Sequence, residues 1–255
     1  MKPRRLVGKL KQTARRVRAL RPVTIKGGLG EGLKMDLRRA SAWYARGTNE
    51  MPIQEAIGEH VRPGGVFFDI GANAGFFSLI AARLAGPRGK VVAFEPVPAN
   101  AAAIRRNASL NRLANIVVVE AAVADHEGTA ELRLDPHPGG AVLASTTSRR
   151  DGPLITVPLV TIDGLVERRE TPEPTVIKVD VEGAEAAVLA GLARTARRLK
   201  PVLICEFDDA KPELVEPKVE AATALITSWG YTVRRLREAY HGVGWTVAHI
   251  VATSA

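Results

Sequence analysis

The chain has 255 residues, 46% of them hydrophobic and 25% charged, which suits a globular protein of one large domain or two small ones. It has no apolar run of about 18 residues, no signal-peptide pattern and one cysteine, Cys205. This excludes a transmembrane helix, an internal disulfide and a multi-cysteine zinc site, and points to a reducing, cytoplasmic compartment. The net charge of +9 is concentrated in residues 1–22, which carry nine basic side chains and no acid, while the remainder is balanced at 27 of each sign. A neutral body argues against a nucleic-acid groove across it.

Leu6, Leu10, Thr13, Val17 and Leu20 recur at helical spacing among arginines and lysines, so residues 1–21 read as a basic amphipathic arm that Pro22 ends. Such a helix suits an anionic membrane surface, a protein partner or second copy, or nucleic acid; the alternative is an apolar stripe packed on its own body. Residues 23–50 hold a cluster of Gly27, Gly28, Gly30 and Gly32 that lacks the Lys-Ser/Thr of a phosphate loop, and a turn or hairpin is expected there. A helix starts near Met51 and stops at Arg62-Pro63-Gly64-Gly65.

Strands and helices then alternate. Strands are expected at Val66–Ile70, Val91–Glu95, Ile116–Val119, Val176–Asp180 and Val202–Phe207, and helices at Ala74–Leu84, Ala99–Asn111, Ala184–Leu199 and Val219–Trp229. Tyr231–Leu236 and Trp245–Ala252 read as two closing strands, an antiparallel pair. The alternation implies a largely parallel sheet covered on both faces. Thr129–Leu134 and Leu154–Ile162, joined by a Gly/Ser/Thr-rich loop over 139–152, interrupt it as an inserted hairpin. The chain thus divides into an arm (1–22), an N-terminal segment suited to cover an acceptor site (23–50) and a catalytic body (51–255).

The first strand runs into Asp69-Ile-Gly71-Ala-Asn73-Ala-Gly75, a turn at the carboxyl ends of the strands, where such sheets bind ligands. Gly71 permits a tight turn, Gly75 permits close approach to a helix N-terminus, and Asp69 can accept hydrogen bonds from a ligand ammonium. The Gly-x-Asn-x-Gly spacing differs from the dinucleotide fingerprint. Glu95 ends the second strand, 24 residues after Gly71, where a carboxylate can accept two ribose hydroxyls. Asp125 follows the third strand and can receive a hydrogen bond from an adenine amino group, or serve a plain turn. In Ile177-Lys178-Val-Asp180-Val-Glu182-Gly-Ala-Glu185, Lys178 and Asp180 share a face and Asp180 faces the mouth of the site. Glu182 and Glu185 suit the start of the next helix.

Val66–Ser78, Ala93–Pro96, Asn107–Asn111, Val160–Asp163 and Ile177–Glu185 together resemble the FkbM family of S-adenosylmethionine-dependent methyltransferases over about residues 50–235. The resemblance implies a Rossmann-like α/β fold with a seven-stranded, mostly parallel sheet. It also implies O-methylation of a hydroxyl on a small molecule, glycan or glycolipid of sugar or polyketide type, with S-adenosylhomocysteine as product. It places the cofactor against Asp69, Gly71, Asn73, Gly75, Glu95 and Asp125; Phe76, near the sulfonium, and Asp180 complete the expected set.

A hydroxyl acceptor must lose its proton or be acidified by a metal. Asp180 is the first candidate base, Glu206 on the next strand the second, and His241 in the last loop the third. Asp180 with Asp208 and Asp209 is the set that would hold Mg2+ if a metal takes part. The other four histidines show no ligand spacing, and Cys205 reads as core. The partners implied are a small-molecule or glycan acceptor, a second copy of the chain, and a membrane touched peripherally through residues 1–22. The competing function is methylation of RNA or another macromolecule through the basic arm. An oxidoreductase is excluded by the glycine spacing and because no tyrosine has a lysine four residues later. A cofactor-free assembly module would need none of the strand-end acids.

Overall fold

The structure is a computed structural model, and it describes residues 22–40, 42–134, 141–143, 152–209, 211–239 and 246–254. The expected helix over 1–21, most of the 139–152 loop and His241 lie outside the described residues.

The N-terminal segment opens with the hairpin β1 (Val23–Thr24) and β2 (Lys34–Met35), then a 3-10 turn over Ala42–Arg46. Helix α1 (Met51–His60) follows, with Pro52 in its first turn, where a missing N–H costs nothing. The alternating part comprises β3 (Val66–Ile70), α2 (Phe76–Ala85), β4 (Lys90–Phe94), α3 (Pro98–Leu110) and β5 (Ile116–Val119). An insertion carries β6 (Ala122–Val123), β7 (Gly128–Leu134), β8 (Ala141–Leu143), β9 (Leu154–Val160) and α4 (Ile162–Glu167). The chain returns through β10 (Val176–Val179), α5 (Glu185–Gly191), α6 (Ala193–Leu199), β11 (Val202–Asp209), α7 (Val215–Ser228), β12 (Tyr231–Arg235) and β13 (Thr246–Ser254).

Seven strands make one sheet in the order β12-β13-β11-β10-β3-β4-β5. Pairing is parallel except where β13 meets β11 and β12. The expected hairpin exists as β7 against β9, but it belongs to a second sheet, β6-β9-β7-β8. The strand expected to reach Ile162 stops at Val160, because the Thr161 side chain accepts the Gly164 N–H at 3.0 Å and starts α4. The single helix expected over 184–199 is two. Asp163 on α4 accepts the N–H groups of Arg194 and Thr195 at 3.0 and 2.7 Å, which fixes a fresh helix start at α6. Gly191 ends α5 where a Cβ would stand 1.9 Å from the Ala124 carbonyl oxygen.

Period two sorts the sheet residues into two cores. Phe68, Ile70, Val92, Phe94, Ile177, Val179, Leu203, Cys205 and Phe207 face α5, α6 and α7. Phe67, Val91, Val176, Ile204 and Val251 face α1, α2 and the N-terminal segment. That second face continues, toward the carboxyl ends of the strands, as a row of polar residues: the buried Asp69, Lys178 and His249 and the half-buried Glu206.

Asn107 of α3 and its C-cap Asn111 bind the N-terminal segment as a strand would. Asn111 accepts from Lys34 N and donates to Lys34 O, each at 2.7 Å. Asn107, fully buried, accepts from Asp36 N at 2.8 Å and donates to the Ala74 carbonyl at 2.9 Å. Gln54 of α1 accepts the Leu29 N–H and donates to the carbonyls of Gly47 and Asn49. No helix among the described residues is long and apolar enough to cross a membrane. Asn107→Ala orphans a buried N–H and a buried C=O, so it is expected to lower stability by about 1–3 kcal/mol for each; urea unfolding measures this, and a change within error would show that water takes over both bonds.

Candidate active site

The turn after β3 exists because of its glycines. Gly71 has φ +80, and a Cβ there would stand 1.8 Å from the Asp180 carbonyl oxygen. The turn can therefore lie directly on the end of β10 and bring Asp180 beneath the loop. Gly75 has φ +88, and its Cβ would press on Ile104 at 3.2 Å. It seats α2 on α3, rather than clearing a path for a ligand. Asn73 adopts a left-handed conformation, φ 51, which asparagine tolerates better than most residues.

The turn, the end of β4 and the end of β10 wall a cavity of about 940 Å3 including its open mouth, lined by Tyr44, Gly71, Asn73, Phe76, Phe77, Glu95, Leu132, Lys178, Asp180 and Glu182 among others. Glu95 is held rigidly. Its Oε2 accepts the Asn73 N–H at 2.8 Å, and its Oε1 accepts from Val97 N at 2.9 Å and Asn100 Nδ2 at 3.3 Å. Burial pushes its pKa up to about 7 against those hydrogen bonds. The Asn73 Oδ1 is buried without a hydrogen-bond partner. Phe76 stacks on Tyr44 with ring centroids 4.6 Å apart.

Lys178 is the electrostatic centre. Its side chain is 2% exposed, its Nζ lies 2.7 Å from Asp180 Oδ2 and 3.7 Å from Asp69 Oδ1, and it sits 4.9 Å over the Phe77 ring. Burial opposes its charge, but the carboxylates of Asp180 and Asp69 outweigh burial and hold the ammonium protonated well above its usual range.

The sequence of residues 69–233, more than half of the chain, matches the model of the methyltransferase FkbM domain. The chain belongs to the FkbM family of S-adenosylmethionine-dependent methyltransferases. It is 30% identical over 204 residues to 31-O-demethyl-FK506 methyltransferase FkbM of Streptomyces tacrolimicus, covering 69% of this chain and 76% of that one. It is 26% identical over 155 residues to hexuronic acid methyltransferase AglP of Haloferax volcanii, covering 61% of each chain. The fold resembles that of methyltransferase FkbM from Methylobacillus flagellatus, with TM-score 0.52 and 18% identity over 78% of this chain; it spans 50% of that chain.

Within this FkbM-family site, Gly71, Asn73, Phe76, Glu95 and Asp180 meet at one cavity. Other expected positions lie off the cavity wall. Asp69 does not reach the cavity wall. It is buried beneath it, where Oδ2 accepts from Ser78 Oγ at 2.5 Å and Oδ1 faces Lys178. Gly75 packs on α3. Asp125 does not line the cavity either; its side chain is 53% exposed and pairs with His126 at 2.6 Å. Asp208 and Asp209 do not join Asp180 in a metal-holding group. Asp209 instead pairs with Lys218 at 3.0 Å and accepts the Lys211 N–H at 2.9 Å.

Glu206 lies off the cavity wall, its Oε2 2.7 Å from His249 Nε2. Burial, then Asp180 and Glu50, push its pKa well up, and burial lowers that of His249 to about 4. Glu185, the expected helix-start acid, accepts the Gly183 N–H at 2.8 Å, and burial raises its pKa to about 7. Sequence reasoning missed Tyr44, Glu50 and His249. Tyr44 sits in a short turn with no periodic signal. His249 meets Glu206 only because β11 and β13 pair in that register, 43 residues apart; the shared parity of the two strands was the only available sign.

Removing the Lys178 ammonium leaves Asp69 buried and uncompensated. Lys178→Met is expected to cost about 3–5 kcal/mol, read as a lowered urea midpoint, and a midpoint unchanged from the parent would show that Asp69 is neutral in the fold.

Proposed function

We propose that the protein transfers the methyl group of S-adenosylmethionine to a hydroxyl of a small molecule, glycan or glycolipid of sugar or polyketide type. The carrying observation is the juxtaposition of the rigid Glu95 carboxylate, the unpartnered Asn73 Oδ1 and Asp180 around one cavity beneath a glycine turn. These residues fit the cofactor. Glu95 is suited to accept ribose hydroxyls. Phe76 offers an aromatic wall. When bound, the cofactor supplies an electrophilic methyl group on a sulfonium.

The remaining work falls to the chain. Holding acceptor and methyl in line is worth up to about 7–11 kcal/mol in the most favourable intramolecular cases. Asp180 is the base in this reading, because it lines the cavity while Glu206 does not. Lys178, 2.7 Å from the Asp180 carboxylate, orients it and keeps it in place. Tyr44 carries the N-terminal segment into the cavity wall, so that segment covers the acceptor side. The acceptor class is supported by two relatives, one a methyltransferase of 31-O-demethyl-FK506 and one of hexuronic acid.

Asp180→Asn is expected to reduce turnover by about 10²–10⁴-fold with S-adenosylhomocysteine affinity within a few-fold of the parent. Calorimetry and single-turnover assays read the two separately, and full turnover in the variant would remove Asp180 as the base.

The pH dependence follows from Glu95. Its folded pKa is raised from 4.5 to about 7, so its contribution to stability is present below the unfolded value and is lost as pH rises through about 7. Cofactor binding runs the other way, since the ribose hydroxyls need the carboxylate as acceptor. Affinity for S-adenosylhomocysteine is expected to rise up to about tenfold per pH unit below pH 7 and to level off above it. Glu95→Gln is expected to bind weakly with a flat profile; a parent profile equally flat would place the ribose elsewhere.

A further inference from the structure

The polar row on the sheet holds more carboxylates than the cavity needs. Glu50 opens α1, Glu206 lies on β11 and His249 on β13. One ligand-type atom from each lies within 4.8 Å of the other two, the one such group of three among the described residues. Glu50 and His249 are buried, His249 to 1% exposure, and the Glu206 side chain is 16% exposed. His249 Nε2 lies 2.7 Å from Glu206 Oε2, while Nδ1, on the other side of the ring, is buried without a hydrogen-bond partner.

Charge balance points the same way. Glu50, Asp69, Asp180 and Glu206 are all close enough to act on Lys178 or on one another. Carboxylates gathered out of water need a compensating cation or protons. An imidazole with two carboxylates suits a divalent first-row transition ion, whereas Mg2+ and Ca2+ favour oxygen-only sets. Three protein ligands also leave open coordination positions.

We propose that Glu50, Glu206 and His249 form a site for one divalent transition-metal ion, Mn2+ or Zn2+, beside the cavity wall at Tyr44 and Asp180. The ion ties the start of α1, and with it the N-terminal segment, to the paired strands β11 and β13. It also offsets the negative charge next to Asp180. None of the three ligands lines the cofactor cavity, so ion binding and cofactor binding are separable.

The test uses the full-length, tag-free protein stripped with a chelator. Mn2+ is titrated by the electron paramagnetic resonance signal of the free ion, Zn2+ by competition. Saturable binding of one Mn2+ per chain is expected, with spin-echo modulation from a single imidazole nitrogen. Glu50→Gln and Glu206→Gln are expected to weaken binding by more than the roughly 10–100-fold that loss of a supporting residue costs. Asp209→Asn, outside the group, is expected to bind as the parent does. Folding of each variant is checked by its circular dichroism, and the imidazole signature in the parent needs no variant at all. Absence of saturable binding of either ion, or bound Mn2+ without nitrogen modulation, overturns the site and leaves Glu206 and His249 a hydrogen-bonded pair.

Discussion

One buried ammonium organises the functional end of this molecule. Lys178 stands in the central strand β10, almost wholly shielded from water, between Asp69 of β3 and Asp180 at its own strand end. A charge cannot stay there alone, because the cost of removing it from water is several kcal/mol. Asp69 answers it from below and is itself fixed by Ser78 of α2. Asp180 answers it from the cavity side. The triad thereby couples the first strand, the first helix of the alternating part and the cavity wall.

The glycine turn depends on the same geometry. Gly71 can only cross the end of β10 without a side chain, so the loop sits where Asp180 emerges. Glu95, one strand over, accepts the Asn73 N–H and so fixes the loop from its other side. The cavity is therefore bounded by two carboxylates whose positions are set by backbone contacts and by Lys178, not by mobile side chains. Preorganisation of this kind lowers the cost of orienting a ligand.

The N-terminal segment reaches the cavity wall through Tyr44 rather than standing apart from the body. Asn107, Asn111 and Gln54 satisfy its backbone groups, and Ile25, Leu33 and Met35 fill the core beneath it. Tyr44 then stacks on Phe76 at the cavity wall. Because side-chain amides stand in for a strand partner, the segment is held without joining the main sheet. Glu50 closes it at the start of α1, next to Glu206 and His249.

The sequence by itself determined the alternation of strands and helices, the glycine turn and the strand-end acids, since each is written in local periodicity or adjacent residues. Lys178 and Asp180 on one face followed from period two alone. Only the tertiary structure decided which acids share a space. Asp69 was legible as a strand-end carboxylate, yet β10 packs a lysine against it and takes it out of the cavity wall. Asp125 follows its strand as expected, yet its side chain turns to solvent beside His126. Glu206 and His249 meet through the register of β11 against β13, and helix α6 starts where Asp163 of α4 reaches its N–H groups. These contacts join residues tens of positions apart, so no local pattern encodes them; the packing of elements sets them.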